Sequence, residues 1–358
     1  MFLPRCLPVL IGSLPITSHS EAAGLILQYA PSIPLWPQLP KHSKEGMVRQ
    51  FLSGFPGLVD EGKRFVIDTS RVDFAEEMTE FYTDYLAAEA DNTILRNSRF
   101  ALKDDTAAGF HAFTELLEST GHQSQTVKGQ VTGPITTGIG AKDMQGNSII
   151  YDDNLRDMLV KLLALKGRWQ AIELQRFTGN TPPIVFIDEP ALVSFGSSAF
   201  TGISREMVIE SVGEVVGSIQ HGGALAGLHI CANGDWGPAL ESATDIISFD
   251  AYSFFDNFIL FKDQLIHFIQ RGGILAWGIV PTGDPDIVAK ETAEGLYAKF
   301  REQLKTLTSF GFTEKQLMEQ TLIAPACGTG SLPIELALKV LSMNESVSAK
   351  CREYLENI

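Results

Sequence analysis

A histidine and a cysteine lie two residues apart at the end of an apolar run. His229 and Cys231 occur in "GLHICANGDW" (227–236), directly after "GGALA" (222–226). Residues i and i+2 of a β-strand point to the same face of its sheet. An imidazole and a thiol on one face are ligands for a soft or borderline metal ion. The spacing therefore predicts a strand that presents part of a metal site at its carboxyl end.

Two further residues are candidates for the same site. Cys327 follows another apolar run in "TLIAPACGTGS" (321–331), and Asp250 ends "DIISFD" (245–250). One histidine and two thiolates suit zinc, and three protein ligands with one open position are typical of a catalytic zinc. We predict His229, Cys231 and Cys327 as ligands, with Asp250 as a candidate fourth. The competing interpretation is that the histidine is satisfied by hydrogen bonds and that the cysteines only pack.

The elements that must position these residues form an alternating pattern. Seven apolar runs are predicted strands, and they span 8–13, 126–134, 183–190, 224–231, 245–250, 274–281 and 321–328. Amphipathic stretches predict helices between or after them, over 154–177, 204–220, 289–307 and 331–343. Strand–helix alternation predicts a parallel sheet.

The residues at the carboxyl ends of the strands indicate which kind of parallel sheet they form. No GxGxxG follows the first strand, so a dinucleotide-binding fold has no support. Polar and reactive residues at the carboxyl ends of the strands favour a closed (β/α)8 TIM barrel, which builds its active site there. We predict one domain over 1–358. Its N-terminal insertions lie at about 30–120, in a Pro-rich stretch (30–47) and a helical stretch (70–120).

Two other strand ends are candidates for binding a substrate. "IDEP" (187–190) carries Asp188 and Glu189, which point to opposite sides if the strand continues through them. One carboxylate then faces the mouth of the barrel. It either accepts a substrate ammonium group or only caps a helix and pairs with a surface cation. In "IGSLP" (11–15), Gly12 lets a ligand approach the backbone and Ser13 offers a hydroxyl group.

Composition excludes several classes of partner. The chain has 358 residues, 20% of them charged, and a net charge of −15. This acidic balance argues against nucleic acid and anionic membranes, and no apolar run approaches the roughly 20 residues that span a bilayer. Four cysteines are too few for a disulfide framework, so we expect a reducing, cytoplasmic compartment. The Pro-interrupted N-terminus favours an opening strand over a cleaved signal peptide.

Several of these motifs together resemble a known superfamily. "IGSLP", "GPIT" (133–136), "IDEPAL" (187–192) and the H-x-C pair with a late cysteine resemble the catalytic domain of cobalamin-independent methionine synthase. "HICANGD" (229–235) and "LIAPACG" (322–328) look closer to corrinoid-dependent methyltransferases that act on coenzyme M. Both groups share the uroporphyrinogen decarboxylase-like barrel.

The resemblance implies roles for individual residues. A zinc ion held by His229, Cys231 and Cys327 binds the thiol acceptor, and Asp250 falls where the synthases have a Glu ligand. Asp188 then holds the amino group of a homocysteine-like acceptor. Ile11, Gly12 and Ser13 bind its carboxylate. The implied activity is zinc-dependent S-methylation of a small thiol, as in methionine biosynthesis.

The departures from the family concern the methyl donor. The synthases carry an N-terminal half that helps to bind methylfolate, and a catalytic histidine on a late strand. These 358 residues contain neither, since "LAWGIVPTGD" (275–284) has no histidine. We therefore expect a methylated corrinoid, carried by a partner protein, as the donor. Without a general acid from the chain, the reacting group is the zinc-bound substrate thiolate.

Three alternatives stay open. The first is methyl transfer to coenzyme M or another thiol. The second is a zinc-free barrel enzyme of the uroporphyrinogen decarboxylase type, in which Asp188 acts, although the decarboxylase's arginine-rich N-terminal motif is missing. The third is a protein that binds a methylcorrinoid or a thiol without turnover.

Overall fold

Six parallel strands form the main sheet of the protein. The computed structural model describes residues 2–62, 64–194 and 202–358. The strands are β1 (Leu58–Asp60), β2 (Phe65–Ile67), β3 (Lys128–Thr132), β4 (Ile184–Asp188), β5 (Leu225–Ile230), β6 (Ile246–Phe249), β7 (Ile274–Val280) and β8 (Thr321–Pro325). β3 to β8 pair in sequence order, and β1 and β2 form a separate antiparallel hairpin.

Two irregular N-terminal segments close this sheet into a ring. The first segment, residues 7–13, lies beside β8, with a parallel bridge from Pro8 to Ile323. The second segment, residues 33–38, lies beside β3, with a parallel bridge from Leu35 to Lys128. A third bridge, Ser13 to Gln38, joins the two segments. The predicted TIM-barrel fold is therefore confirmed. Eight extended segments, or staves, form the ring: six are strands and two are irregular.

The second segment differs from the sequence-based expectation. Residues 33–38 fall in the Pro-rich stretch that the sequence suggests is an insertion, yet they form a stave of the barrel. Pro34 and Pro37 carry no backbone N–H, so this segment makes isolated bridges and no continuous ladder. For the same reason the first segment, which contains Pro8, is not a regular strand.

Helices cover the outside of the barrel. They are α1 (His19–Tyr29), α2 (Phe74–Ala90), α3 (Asn92–Arg96), α4 (Ala108–Thr120), α5 (Pro134–Gly140), α6 (Asp153–Leu174), α7 (Arg205–His221), α8 (Gly237–Glu241), α9 (Ala251–Phe258), α10 (Lys262–Gln270), α11 (Pro285–Lys290), α12 (Ala293–Thr308), α13 (Glu314–Glu319) and α14 (Ile334–Glu356). The helix expected over 289–307 is divided, because Thr292 caps a new helix by accepting from the Gly295 N–H. The last helix begins after Pro333 and runs past 343 to Glu356.

The barrel interior is a packed apolar core. Its members alternate along the staves, as the period of two requires. They are Leu7, Val9, Ile33, Ile184, Phe186, Ile246, Ile274, Ala276, Leu322 and Ala324. The intervening strand residues belong to a larger core between the sheet and the helices. Side chains that continue the interior series past the carboxyl end of a strand therefore lie at the mouth.

Candidate metal centre and substrate cleft

β5 places His229 and Cys231 on the interior series of the barrel. Leu225 packs against the interior core, so Gly227, His229 and Cys231 follow on the same face. A Cβ at Gly227 would come within 2.2 Å of the Phe186 ring, because that ring fills the barrel beside it. Glycine is therefore required directly below the histidine. The Phe186 ring and Gly227 together determine the position of the imidazole along the barrel axis.

The three predicted metal ligands come together at the mouth. Ligand atoms of His229, Cys231 and Cys327 all lie within 4.8 Å of one another. Tetrahedral zinc with bonds of about 2.0–2.3 Å requires ligand atoms roughly 3.3–3.8 Å apart, so a contraction of at most about 1.5 Å completes the site. The prediction that strands far apart in sequence meet here agrees with this geometry.

The imidazole of His229 is oriented as a ligand. Its Nδ1 lies 2.9 Å from Ser248 Oγ on β6, while its Nε2 is buried without a hydrogen-bond partner among the described residues. A buried nitrogen that lacks a partner requires an explanation, and a missing metal ion is one. In metal-binding histidines, the ring nitrogen that does not bind the metal is typically held by a hydrogen bond. Ser248 Oγ is the partner of Nδ1 here. The residues therefore fit a zinc ion.

The two thiols shift each other's pKa in opposite directions. The neighbouring Cys327 thiol lowers the pKa of Cys231 well below its ordinary value, and His229 acts in the same direction. The same contact raises the pKa of Cys327. One thiolate next to an imidazole is the state that a zinc ion needs to begin binding.

Asp250 lies close to this group without joining it. Its carboxylate accepts a hydrogen bond of 2.9 Å from the Ser253 N–H and so caps α9. Among the residues that the structure describes, the cluster of ligand atoms at the mouth contains His229, Cys231 and Cys327 and not Asp250. A zinc ion held by these three residues would therefore keep one position for a substrate.

The two adjacent carboxylates separate as the strand geometry predicts. Glu189 points to the helix layer, where it accepts from the N–H groups of Ile135 and Thr136 at 2.8 and 2.9 Å. Burial raises its pKa to about 7 despite these hydrogen bonds. Glu189 therefore caps α5, and Asp188 alone faces the mouth.

Asp188 is a buried carboxylate that lacks a full set of partners. It is only 5% exposed, and its Oδ1 makes no hydrogen bond within the described part of the chain. Burial raises its pKa, although His229 and Lys128 act in the opposite direction. A cation or a donor from a ligand would compensate this burial. Asp188 is thus suited to binding an ammonium group.

The first N-terminal segment forms the opposite wall of the mouth. A cleft of about 320 Å³ is lined by Ile11, Ser13, Asp188, His229, Cys231 and Cys327, among others. Gly12 has φ +154°, which other residues rarely adopt, and its added Cβ would come within 2.9 Å of Gln38 Oε1. The predicted ligands and, apart from Gly12, the predicted substrate residues therefore line one cleft.

Lys128 supports this segment and is not apparent from the sequence motifs. Its side chain is fully buried, and Nζ donates to the Ile11 carbonyl at 2.7 Å and lies 4.6 Å from the centre of the Phe186 ring. Burial lowers its pKa to about 8. "VKGQV" gives no indication of this role, because a lysine in a strand is ordinarily exposed. Gln38 and Glu45, which also line the cleft, are equally inconspicuous in the sequence.

The length and apolar character of the helices determine whether any of them could cross a membrane. Within 2–62, 64–194 and 202–358, no helix combines the length and the apolar character needed to cross a bilayer.

Fold and site together define a (β/α)8 barrel with a nitrogen–sulfur ligand set at its mouth. The same fold occurs in a B12-independent methionine synthase from Shewanella sp. W3-18-1, solved in complex with selenomethionine, with a TM-score of 0.57 and 16% identity over 99% of this chain and 100% of that chain. A methyltransferase from Methanosarcina mazei matches with a TM-score of 0.48 and 12% identity over 98% and 94% of the two chains. No family model matches the sequence, and a search of curated proteins finds no match. The resemblance inferred from the motifs is thus confirmed at the level of the fold.

Proposed function

We propose that this protein is a zinc-dependent methyltransferase that moves a methyl group to the sulfur of a small thiol, with homocysteine as the acceptor. The observation that carries the proposal is the buried Nε2 of His229, which has no hydrogen-bond partner among the described residues and lies beside two cysteine sulfurs in an open cleft. The likeness to a methionine synthase barrel supports it.

The chain's own residues bind and orient the acceptor. His229, Cys231 and Cys327 would hold zinc, which supplies the Lewis acidity that lowers the pKa of a coordinated thiol. Asp188 receives the ammonium group of the amino acid. The segment Ile11–Ser13 receives its carboxylate through backbone groups, with its position fixed by Lys128. These contacts hold the sulfur at the metal end of the cleft.

Methyl transfer then requires no proton from the chain. The acceptor thiol loses its proton to water, its sulfur forms the new bond to the methyl carbon, and the electron pair of the broken bond stays on the donor. A methylcorrinoid donor keeps that pair on cobalt. A methylfolate nitrogen would instead need protonation, and the segment 275–284 has no histidine to provide it. We therefore favour a methylcorrinoid, delivered by a partner protein.

Homocysteine is preferred over coenzyme M because of Asp188. Coenzyme M carries a sulfonate and no ammonium group, so it would leave this buried carboxylate without a partner. The Shewanella synthase was solved with selenomethionine, an amino acid, and this also supports an amino-acid acceptor.

The experiment is a thiol-dependent demethylation assay. Zinc-loaded protein is mixed with methylcobalamin and either homocysteine or coenzyme M, and cobalt demethylation is followed by absorbance with the methylated thiol quantified. We expect turnover with homocysteine and less with coenzyme M. If neither thiol is methylated by free or protein-bound methylcorrinoid, the transferase proposal fails.

A further inference from the structure

A second group of metal-ligating side chains lies on the rim of the cleft. His19 at the start of α1, His42 and Glu45 offer ligand atoms that all lie within 4.8 Å of one another. Glu45 also lines the cleft that contains Asp188 and the cysteines. We propose that these three residues form a second divalent metal site, which takes Zn²⁺ and fixes this wall of the cleft to α1.

The burial of Glu45 is the first argument. Its side chain is only 3% exposed, and within the described ranges its ion-pair partner is the imidazole of His19, with Nε2 at 2.5 Å from Oε1. The nearby cations are engaged elsewhere, because Lys44 pairs with Asp105 and Arg49 pairs with Asp60. Buried charges in proteins are paired or bind metals. A divalent ion would neutralise this carboxylate.

The second argument is the orientation of the ligand atoms. Glu45 Oε2 accepts from the Leu39 N–H at 3.0 Å, which leaves Oε1 for a metal. His42 Nε2 lies 2.8 Å from the Thr17 carbonyl oxygen and must donate to it, which leaves Nδ1 as the atom for a metal. Ligands whose second atom is held by a backbone group are typical of metal sites.

The third argument is the arrangement of the two rings. The imidazoles of His19 and His42 are stacked, with centroids 4.8 Å apart and planes 20° apart. Ligand atoms around zinc lie about 3.3 Å apart, so His19 and Glu45 must separate by roughly 0.8 Å on binding. His19 is half-buried and can make this change by rotation of its side chain. Two imidazoles and one carboxylate suit zinc and leave one position open.

The test counts metal in matched variants. Native protein, His42→Ala, Cys327→Ala and the double variant are equilibrated with Zn²⁺, desalted and analysed for zinc per chain. We expect two, one, one and none. His122→Ala is the control, because His122 also donates to a backbone carbonyl, that of Pro31 at 2.9 Å, and belongs to no ligand cluster in the part of the chain that the structure describes. It should retain both ions.

Cobalt separates the two centres spectroscopically. In Co²⁺-loaded protein, His42→Ala should keep the full thiolate-to-cobalt charge-transfer band and lose one cobalt per chain, because its site contains no sulfur. Zinc should also raise the Tm of Cys231→Ala/Cys327→Ala protein, and should not do so when His19→Ala and His42→Ala are added.

The outcomes distinguish this inference from the proposed function. If His42→Ala binds as much zinc as the native chain, or if His122→Ala loses an equal amount, the second site is refuted, whatever the cysteine variants do. Loss of zinc in His42→Ala with none lost in Cys327→Ala would support the second site and contradict the metal centre of the proposed function.

Discussion

The two halves of the barrel mouth are built differently. On one side, β4 ends in Asp188, and β5 carries His229 one residue before its end, with Cys231 just beyond the strand. These side chains continue the interior series of regular strands. On the other side, the irregular segments 7–13 and 33–38 present a glycine, a serine and backbone groups. The first half supplies reactive side chains and the second supplies a shaped wall.

The difference follows from what each half must hold. Metal ligands need fixed side-chain directions, and the strict alternation of a hydrogen-bonded strand provides them. A substrate carboxylate is bound well by backbone N–H groups, which a distorted segment exposes and a continuous ladder would consume. The irregular half then needs support from elsewhere, and Lys128 provides it from β3.

The largest expected effect is on the strand half. Cys231→Ala removes one of three ligands, so we expect at least about a 100-fold loss of methyl transfer, because losing even an outer partner of a ligand typically costs 10–100-fold. The matched variant Cys351→Ala removes a buried thiol on α14, remote from the mouth, and should retain activity. Rates measured on protein of verified zinc content check this. Equal activity in both variants would show that the cysteines only pack.

Asp188→Asn tests whether the strand half also selects the acceptor. We expect kcat/KM for homocysteine to fall roughly 10- to 100-fold, because a hydrogen bond to a charged group is worth about 1.5–3 kcal/mol. A thiol with the same chain and no amino group should lose little. The comparison of the two acceptors is the measurement. A uniform loss for both would indicate that Asp188 supports the fold or the metal and does not bind the ammonium group.

Ser248→Ala tests the orientation of the imidazole. Removing the hydroxyl group that holds His229 Nδ1 should weaken zinc affinity by about 10-fold with little change in the rate of fully loaded protein. Competition with a chelator of known affinity gives the dissociation constant. Unchanged affinity would mean that packing around β5 alone fixes the ring.

The smallest expected effect on activity concerns the irregular half and its lysine, which also affects stability. The pKa of Lys128 is about 8 in the folded protein against 10.5 as its ordinary value. Between these values the unfolded chain binds more protons, so this group makes stability rise with pH from about 8 to 10.5, by on the order of 3 kcal/mol at most. Relative to Lys128→Met, the native free energy of unfolding should therefore increase across this window.

Denaturant unfolding at several pH values measures this difference, with the exposed Lys305→Met as the matched control. We expect the control to give a constant difference from the native protein. A constant difference for Lys128→Met as well would contradict the burial of the charged group. Lys128→Met should also raise KM for the acceptor several-fold, since Ile11 loses its support.

The sequence predicted the strand half far better than the irregular half. The spacing of His229 and Cys231 and the position of Asp188 determine which face of the sheet these side chains point to. Side chains alternate between the two faces of a regular strand, so the face can be predicted from the local sequence. The barrel role of residues 33–38 was not predicted, since Pro34 and Pro37 are typical of loops and the pairing partner lies about ninety residues away.

Long-range support is the other part that the sequence does not reveal. Lys128, Gln38 and Glu45 contribute through contacts with residues that are distant in the chain, and no short motif encodes such contacts. The place of Asp250 shows the same limit. A carboxylate at a strand end is compatible with a ligand or with a helix cap, and only the N–H of Ser253 distinguishes the two.

The most direct test of the central claim is zinc per chain in native, Cys327→Ala and Cys351→Ala protein prepared identically. Cys327 lies more than ninety residues after Cys231 in the sequence, so only the barrel brings it to the metal centre. The account predicts that Cys327→Ala binds one zinc ion fewer than the native chain and that Cys351→Ala binds the same number. Equal zinc in all three proteins, or none in any, would contradict it.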